Sequence, residues 1–313
     1  MKKFFISLAL FLMLTSVVYC VGLIAFGRFV PFLIPWNLPY IRGHAIGHTF
    51  TRFKEADKID QDIDVLVIGP SRAYRGYDPR IFRQCQWRLF NLGSSAQTPV
   101  QTAYVLDRYV AKIRPKLVIL EVAPELFASD GNESMVDFIS NAELDIELVR
   151  LALLQKNIGV YNTLLYRVFA DMLGFNDGFV EENPSKSGDL YVAGGYVESN
   201  NRYDGKGRFE SIDYSFASRQ VRAFERIIQR LQEKEIPYLI LRSPVPRARY
   251  EAVTNDSFVD GFFSKYGYYQ NANESLKLPD SCFSDNSHLN QSGTNCYNEY
   301  VINLIKQRGY LNR

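Results

Sequence analysis

The sequence predicts an α/β protein, a mostly parallel sheet covered by helices on both faces and preceded by one membrane-spanning helix. Three observations carry this. Short apolar, β-branched runs recur through the body, each ending in glycine, proline or small residues. Amphipathic helical stretches stand between them, and Phe4 to Gly27 form one uncharged apolar block. At 313 residues and 47% apolar content the chain has ample material for a core.

The N-terminus, MKKFFISLALFLMLTSVVYCVGLIAFGRF, contains enough consecutive apolar residues to cross a bilayer as one helix. Residues 1–28 are therefore expected to be an anchor that meets the membrane through residues 4–27. The competing reading is a cleaved secretory signal, but the run exceeds the roughly 7–15 residues of a signal core and no small-x-small site ends it. Lys2 and Lys3 precede the segment while Arg28 and Arg42 follow it, a balance that leans towards a cytoplasmic N-terminus. The expected location is the cytoplasmic (inner) membrane, crossed once, with the body extracytoplasmic or periplasmic. With 36 basic against 34 acidic residues and no basic block interleaved with aromatics, nucleic acid is not an expected partner.

Residues 29–61, rich in proline and aromatics and carrying His44 and His48, read as a juxtamembrane linker, and residues 62–313 as the α/β domain. IDVLVIGPS (63–71), RLFNLGSS (88–95), KLVILEVAP (116–124) and IPYLILRSP (236–244) read as buried strands. QTAYVLDRYVAKIRP (101–115) has helical spacing and ends at a proline, ASRQVRAFERIIQRLQEKE (217–235) is amphipathic, and LNQSGTNCYNEYVINLIKQRG (289–309) closes the chain as a helix. The alternation breaks between about 130 and 215, which marks an insertion. It is either a lid shaping the site or a further structural layer.

Sites in such sheets gather where strands end. Ser71 lies in a tight turn after the first strand, where a serine either caps the next helix or presents its hydroxyl as a nucleophile with its own N–H towards an oxyanion. Gly93, after the second strand, can bring a second N–H close to substrate because it has no side chain. A serine nucleophile needs a base, and His288 is the one histidine outside the juxtamembrane stretch. Asp285, three residues earlier, can orient its imidazole. Arg72 and Arg75 beside the serine either attract an anionic polymer or remain solvated. Glu121 offers a substrate hydrogen-bond acceptor or a surface charge. Cys282 and Cys296 flank the Asp285 to His288 loop and either bridge, which would stiffen it in an oxidising compartment, or stand as separate thiols. Neither CxxC nor a His/Cys cluster with metal spacing occurs, so no metal and no cofactor are expected.

GPS at 69–71, NLG at 91–93 and DNSHLN at 285–290 resemble, in order and spacing, the blocks of the SGNH (GDSL-like) hydrolase superfamily. The resemblance spans about residue 62 to the end and implies a three-layer, flavodoxin-like α/β/α sandwich. In it Ser71 is the nucleophile, His288 the base, Asp285 its partner and Gly93 an oxyanion donor. Pro70 stands where the family has aspartate, and LEVAPELF replaces the block with the family's oxyanion asparagine. With the anchor, GPSRAYRGYDP and NLGSSAQTP, the chain is similar to membrane-anchored envelope proteins of this superfamily. The likeness implies acyl-ester chemistry outside the cytoplasmic membrane without identifying the acyl group or the acceptor. The anchor, which can hold an enzyme beside a membrane acyl donor, tips the expectation to an O-acyltransferase moving an acyl group, such as acetyl, from a donor to an envelope glycan, with a membrane-bound acyl-transfer protein as a candidate partner. An esterase with the same triad and a catalytically degenerate glycan-binding or scaffold protein are the alternatives.

Overall fold

The computed structural model describes residues 1–29, 46–185 and 188–311. Its strands are β1 (Val65–Ile68), β2 (Leu89–Asn91), β3 (Leu117–Glu121), β4 (Leu190–Val192), β5 (Tyr196–Glu198), β6 (Tyr238–Arg242) and β7 (Tyr269–Asn271). Five of them form one sheet in the order β2-β1-β3-β6-β7, every neighbour parallel, while β4 and β5 make a separate antiparallel hairpin. The four apolar runs are thus strands as expected, and β7 is an additional edge strand. Helices used below are α1 (Lys2–Phe29), α2 (Thr49–Ala56), α3 (Ser71–Gly76), α4 (Pro99–Ile113), α5 (Asn132–Asn141), α6 (Ile146–Leu154), α7 (Ile158–Met172), α8 (Ser218–Glu233), α9 (Arg247–Glu251) and α10 (Gln291–Arg308).

Successive strand residues point to opposite faces, and the core divides accordingly. Leu66, Ile68, Val118, Leu120 and Ile240 pack with α2, α4, α5 and α8 on one side. Val65, Val67, Ile119, Leu239 and Leu241 pack with α10 on the other. Buried on both faces, these strands are apolar throughout and need parallel crossovers, which α4 and α8 supply. Both helices lie on the same face, with residues such as Val105, Leu106, Phe224 and Ile227 in that core. Asn290 caps α10 by accepting from the Gly293 N–H (3.2 Å), and Gly309, at φ +67°, ends it in the left-handed conformation.

The linker expectation needs correction. Residues 30–45, including His44, lie outside the described residues, but α2 is a core element with Phe53, Ala56 and the side chain of Arg52 buried. His48 is buried at its start. The amphipathic pattern of α2 is centred on Arg52, whose guanidinium meets backbone carbonyls instead of solvent. The 130–215 insertion is no detached flap. α5 puts Met135, Phe138 and Ile139 into the main core, and the Gly194 carbonyl of the hairpin accepts the Asn91 N–H (2.9 Å) at the end of β2.

The sheet order reverses around β1, so the chain leaves the paired strands β1 and β3 in opposite directions, β1 towards β2 on one side and β3 towards β6 on the other. The crevice above this switch point is where doubly wound sheets bind ligands. Ser71 follows β1 there.

Candidate active site

Gly69 makes the turn after β1. Its φ of +154° is closed to ordinary side chains, and a Cβ would lie 2.9 Å from the Glu121 Cβ. Pro70 follows in extended conformation and α3 begins at Ser71, so the serine sits at the first helical position, facing the crevice. No side chain caps this helix, and among the described residues the Ser71 N–H has no acceptor, which leaves it available to a developing oxyanion.

The other end of the chain supplies the partner. His288 Nε2 is 2.7 Å from Ser71 Oγ, and its Nδ1 is 2.9 and 3.0 Å from the two Asp285 carboxylate oxygens. Asp285 Oδ1 also accepts the N–H groups of Ser287 (2.8 Å) and His288 (2.9 Å), so the three-residue spacing lets one tight loop orient both carboxylate and ring. A serine hydroxyl, an imidazole and an orienting carboxylate therefore stand in one hydrogen-bonded line across 217 positions of sequence.

Burial pushes the His288 imidazole below its ordinary value near 6.5; Asp285 pulls it up, and the Arg75 and Arg72 charges press it down again, for a net lowering. For Asp285, burial acts upwards, but the hydrogen bond and charge of His288 with the loop amides outweigh it and hold the carboxyl well below the usual carboxylate range. At neutral pH the pair is thus carboxylate and neutral imidazole, the state in which Nε2 can accept a proton. Because the histidine pKa is lowered, kcat/KM for an acyl ester is expected to decline on the acid side with a midpoint below 6.5. A pH–rate profile on a chromogenic ester checks this, and a midpoint above 6.5 would contradict it.

The loop is closed by hydrogen bonds. Asn290 Nδ2 donates to the Ser281 (2.8 Å) and Phe283 (3.1 Å) carbonyls, the Asn290 N–H to the Cys282 carbonyl (3.0 Å), and the Ser284 N–H to the His288 carbonyl (2.9 Å). The Cys282–Cys296 bridge is absent. Both are free thiols, Cys282 turned into the core under the loop and Cys296 facing solvent from α10.

Three further expectations change. Gly93 is no oxyanion donor, because its N–H is given to Asn91 Oδ1 (3.0 Å). The glycine is needed for packing instead, since a Cβ there would lie 2.8 Å from the Ala73 Cβ and 2.9 Å from the Pro70 carbonyl, inside the nucleophile turn. Asn91, whose Nδ2 also donates to the Ala73 carbonyl (2.6 Å), is the residue missed; an Asn two places before a glycine is the sequence signal for such a side-chain-capped turn. Glu121 is no substrate ligand. It is buried under the site, accepting from the Ser243 N–H (3.0 Å) and hydroxyl (2.6 Å) and from Tyr77 (2.6 Å), and so pins β6 to β3. Arg75 grips Asp189 through two bonds (3.1 and 2.6 Å) and ties α3 to the insertion. Arg72 is buried and paired with Glu125, which also accepts from Arg249 of α9 (3.2 Å). Arg249 in turn donates to the Asn286 carbonyl (3.2 Å) inside the catalytic loop, a contact between residues 37 apart that no local pattern announces.

No family model matches the chain, and no curated protein matches it. Among solved structures it is similar to BT4096, a gut microbial diltiazem-metabolizing enzyme, at 13% identity and a TM-score of 0.30, over 78% of this chain and 47% of that one. It thus spans about half the length of that protein. It is also similar to a candidate acylhydrolase of Bacteroides fragilis NCTC 9343, at 13% identity and a TM-score of 0.22, over 61% of this chain and 98% of that one. Likeness at this level carries nothing about chemistry, which rests on the residues themselves.

Proposed function

We propose that this chain is a membrane-anchored, SGNH-like serine O-acyltransferase that moves a short acyl group, such as acetyl, onto a hydroxyl of a cell-envelope polysaccharide. The observation that carries the reading is the Ser71, His288, Asp285 line, with Oγ 2.7 Å from Nε2. Ser71 Oγ attacks the donor's acyl carbonyl while its proton passes to Nε2, and the Ser71 N–H stabilises the oxyanion. Collapse expels the donor alcohol, which takes the proton from His288 and leaves an acyl-serine. An acceptor hydroxyl then gives its proton to Nε2, attacks the acyl-serine, and departs as the new ester with Ser71 reprotonated.

α1 is long and apolar enough to cross a membrane, which supports a membrane anchor. The reading takes that membrane to be the cytoplasmic one, with the body outside and a membrane-bound acyl-transfer protein as partner. One observation favours a second reading. With the Gly93 N–H committed to Asn91, one oxyanion donor is withdrawn, which suits a catalytically degenerate glycan-binding or scaffold protein.

Full-length protein given an acylated chromogenic donor, with and without a glycan acceptor, separates these readings. Acyl groups recovered on the glycan are the expected result. Release to water unchanged by the acceptor would make the protein an esterase, and no turnover in either arm would favour the degenerate binder.

A further inference from the structure

Ten large apolar side chains outside α1 are exposed on the described body, and eight of them lie between residues 146 and 180. Chance placement over a domain surface would scatter them. On α7, Ile158 is 69% and Met172 75% exposed, with Val168 between them and the half-buried Tyr161 and Leu165 completing a stripe at steps of three and four. Leu153 and Leu154 continue it at the end of α6. The stripe runs beside α1.

α1 packs against α7 through one face, where Gly27 is buried and Cys20 and Leu23 are half-buried. Small residues at such a seam let two helices approach closely. Tyr19 donates its hydroxyl to Asn162 Oδ1 (2.5 Å), Leu23 packs on Tyr166 and Ala170, and the Arg28 guanidinium lies 5.0 Å over the Phe175 ring. Partner numbers rise together, so the two helices run side by side in the same direction. At 28 residues α1 is about 42 Å long, against a hydrocarbon core of about 30 Å, and its exposed apolar side chains continue to Phe26 and Phe29. A bilayer that covers α1 therefore reaches the level of α7.

The rest of the hairpin is compatible with that depth. Its backbone bonds are largely helical. Arg167 is buried in the body, donating to Asp171 and to the Ile139, Ser140 and Ala142 carbonyls. The exposed Arg150 pairs with Glu147, and Lys156 has a side chain long enough to reach headgroups.

We infer that the outward face of α6 and α7 is a lipid-contact surface, inserted beside α1 into the leaflet on the body's side. It is a second, monotopic membrane element that holds the domain in one orientation on the bilayer. This rests on the reading of α1 as membrane-spanning.

The test uses full-length protein in phosphatidylcholine/phosphatidylglycerol vesicles whose acyl chains carry a doxyl quencher. An environment-sensitive fluorescent amino acid replaces Leu154, Ile158 or Met172, with Leu12 in α1 as the lipid reference and Gln307 on α10 as the aqueous one. The expected result is loss of most emission at the three hairpin positions, as at Leu12, with Gln307 unaffected. Quenching at Leu12 while the three behave like Gln307 would overturn the inference and leave the anchor standing. No quenching at Leu12 would overturn both. Shielding of the three positions from lipid quencher and aqueous iodide alike would mean a protein partner covers the face, and would also overturn it.

Discussion

Replacing Ser71 with alanine is expected to lower kcat for acyl-ester turnover by roughly 10⁴- to 10⁶-fold, because the reaction then has no oxygen on which to form the acyl-enzyme. The fold should be unaffected. The Ser71 hydroxyl bonds to His288 alone among the described residues, and surface changes away from caps and cores usually stay within about 0.5 kcal/mol. His288→Ala is expected to cost about as much, since without the base the serine proton has nowhere to go, and the double variant should be hardly worse than either. That non-additivity distinguishes groups acting as one unit from two residues that merely line a pocket. Asp285→Ala should be milder by roughly two orders of magnitude, because it misorients the base without removing it. Steady-state kinetics on a chromogenic ester, with thermal unfolding of each variant as control, measures all four.

The largest stability effect is expected at Arg52. Its fully buried guanidinium donates to the carbonyls of Gly47 (2.8 Å), Gly93 (3.0 Å) and Gly195 (2.8 Å) and lies 4.4 Å over the Tyr74 ring. One side chain thus joins the start of α2, the loop after β2 and the inserted hairpin. Arg52→Met keeps the bulk but strands three buried acceptors, and should cost about 3–5 kcal/mol. For a domain of this size that corresponds to roughly 10 °C in Tm. Arg52→Lys should recover little, since an ammonium cannot serve three carbonyls arranged around a planar fork. Thermal unfolding of full-length protein checks both, and a Tm within about 2 °C of the parent for Arg52→Met would contradict the assignment.

Much of the fold was legible because fully buried parallel strands have to be apolar along their length, as VLVI, LVILE and YLILR are. β7 was not, because YQN is a three-residue, partly exposed edge strand with no hydrophobic run to find. α2 was hidden by a buried arginine in a stretch that composition assigns to a linker. In the site, Ser71, Asp285 and His288 could be found because the loop chemistry of D-x-x-H is local and a strand-end serine follows from topology. Arg75, Glu121 and Arg249 were misread or missed because their partners, Asp189, Ser243 and Asn286, are remote in sequence. A charged side chain does not announce which distant group it will meet. Gly93 was read as a donor because its missing side chain allows approach to substrate. The structure uses that same property to admit the nucleophile helix.

The most direct measurement is intact mass after incubating full-length protein with a serine-directed fluorophosphonate. The chemistry described here expects one adduct, mapped by peptide sequencing to Ser71, formed readily at pH 7 and lost in His288→Ala. Labelling at another serine, or labelling of Ser71 that persists at the same rate without His288, would contradict it.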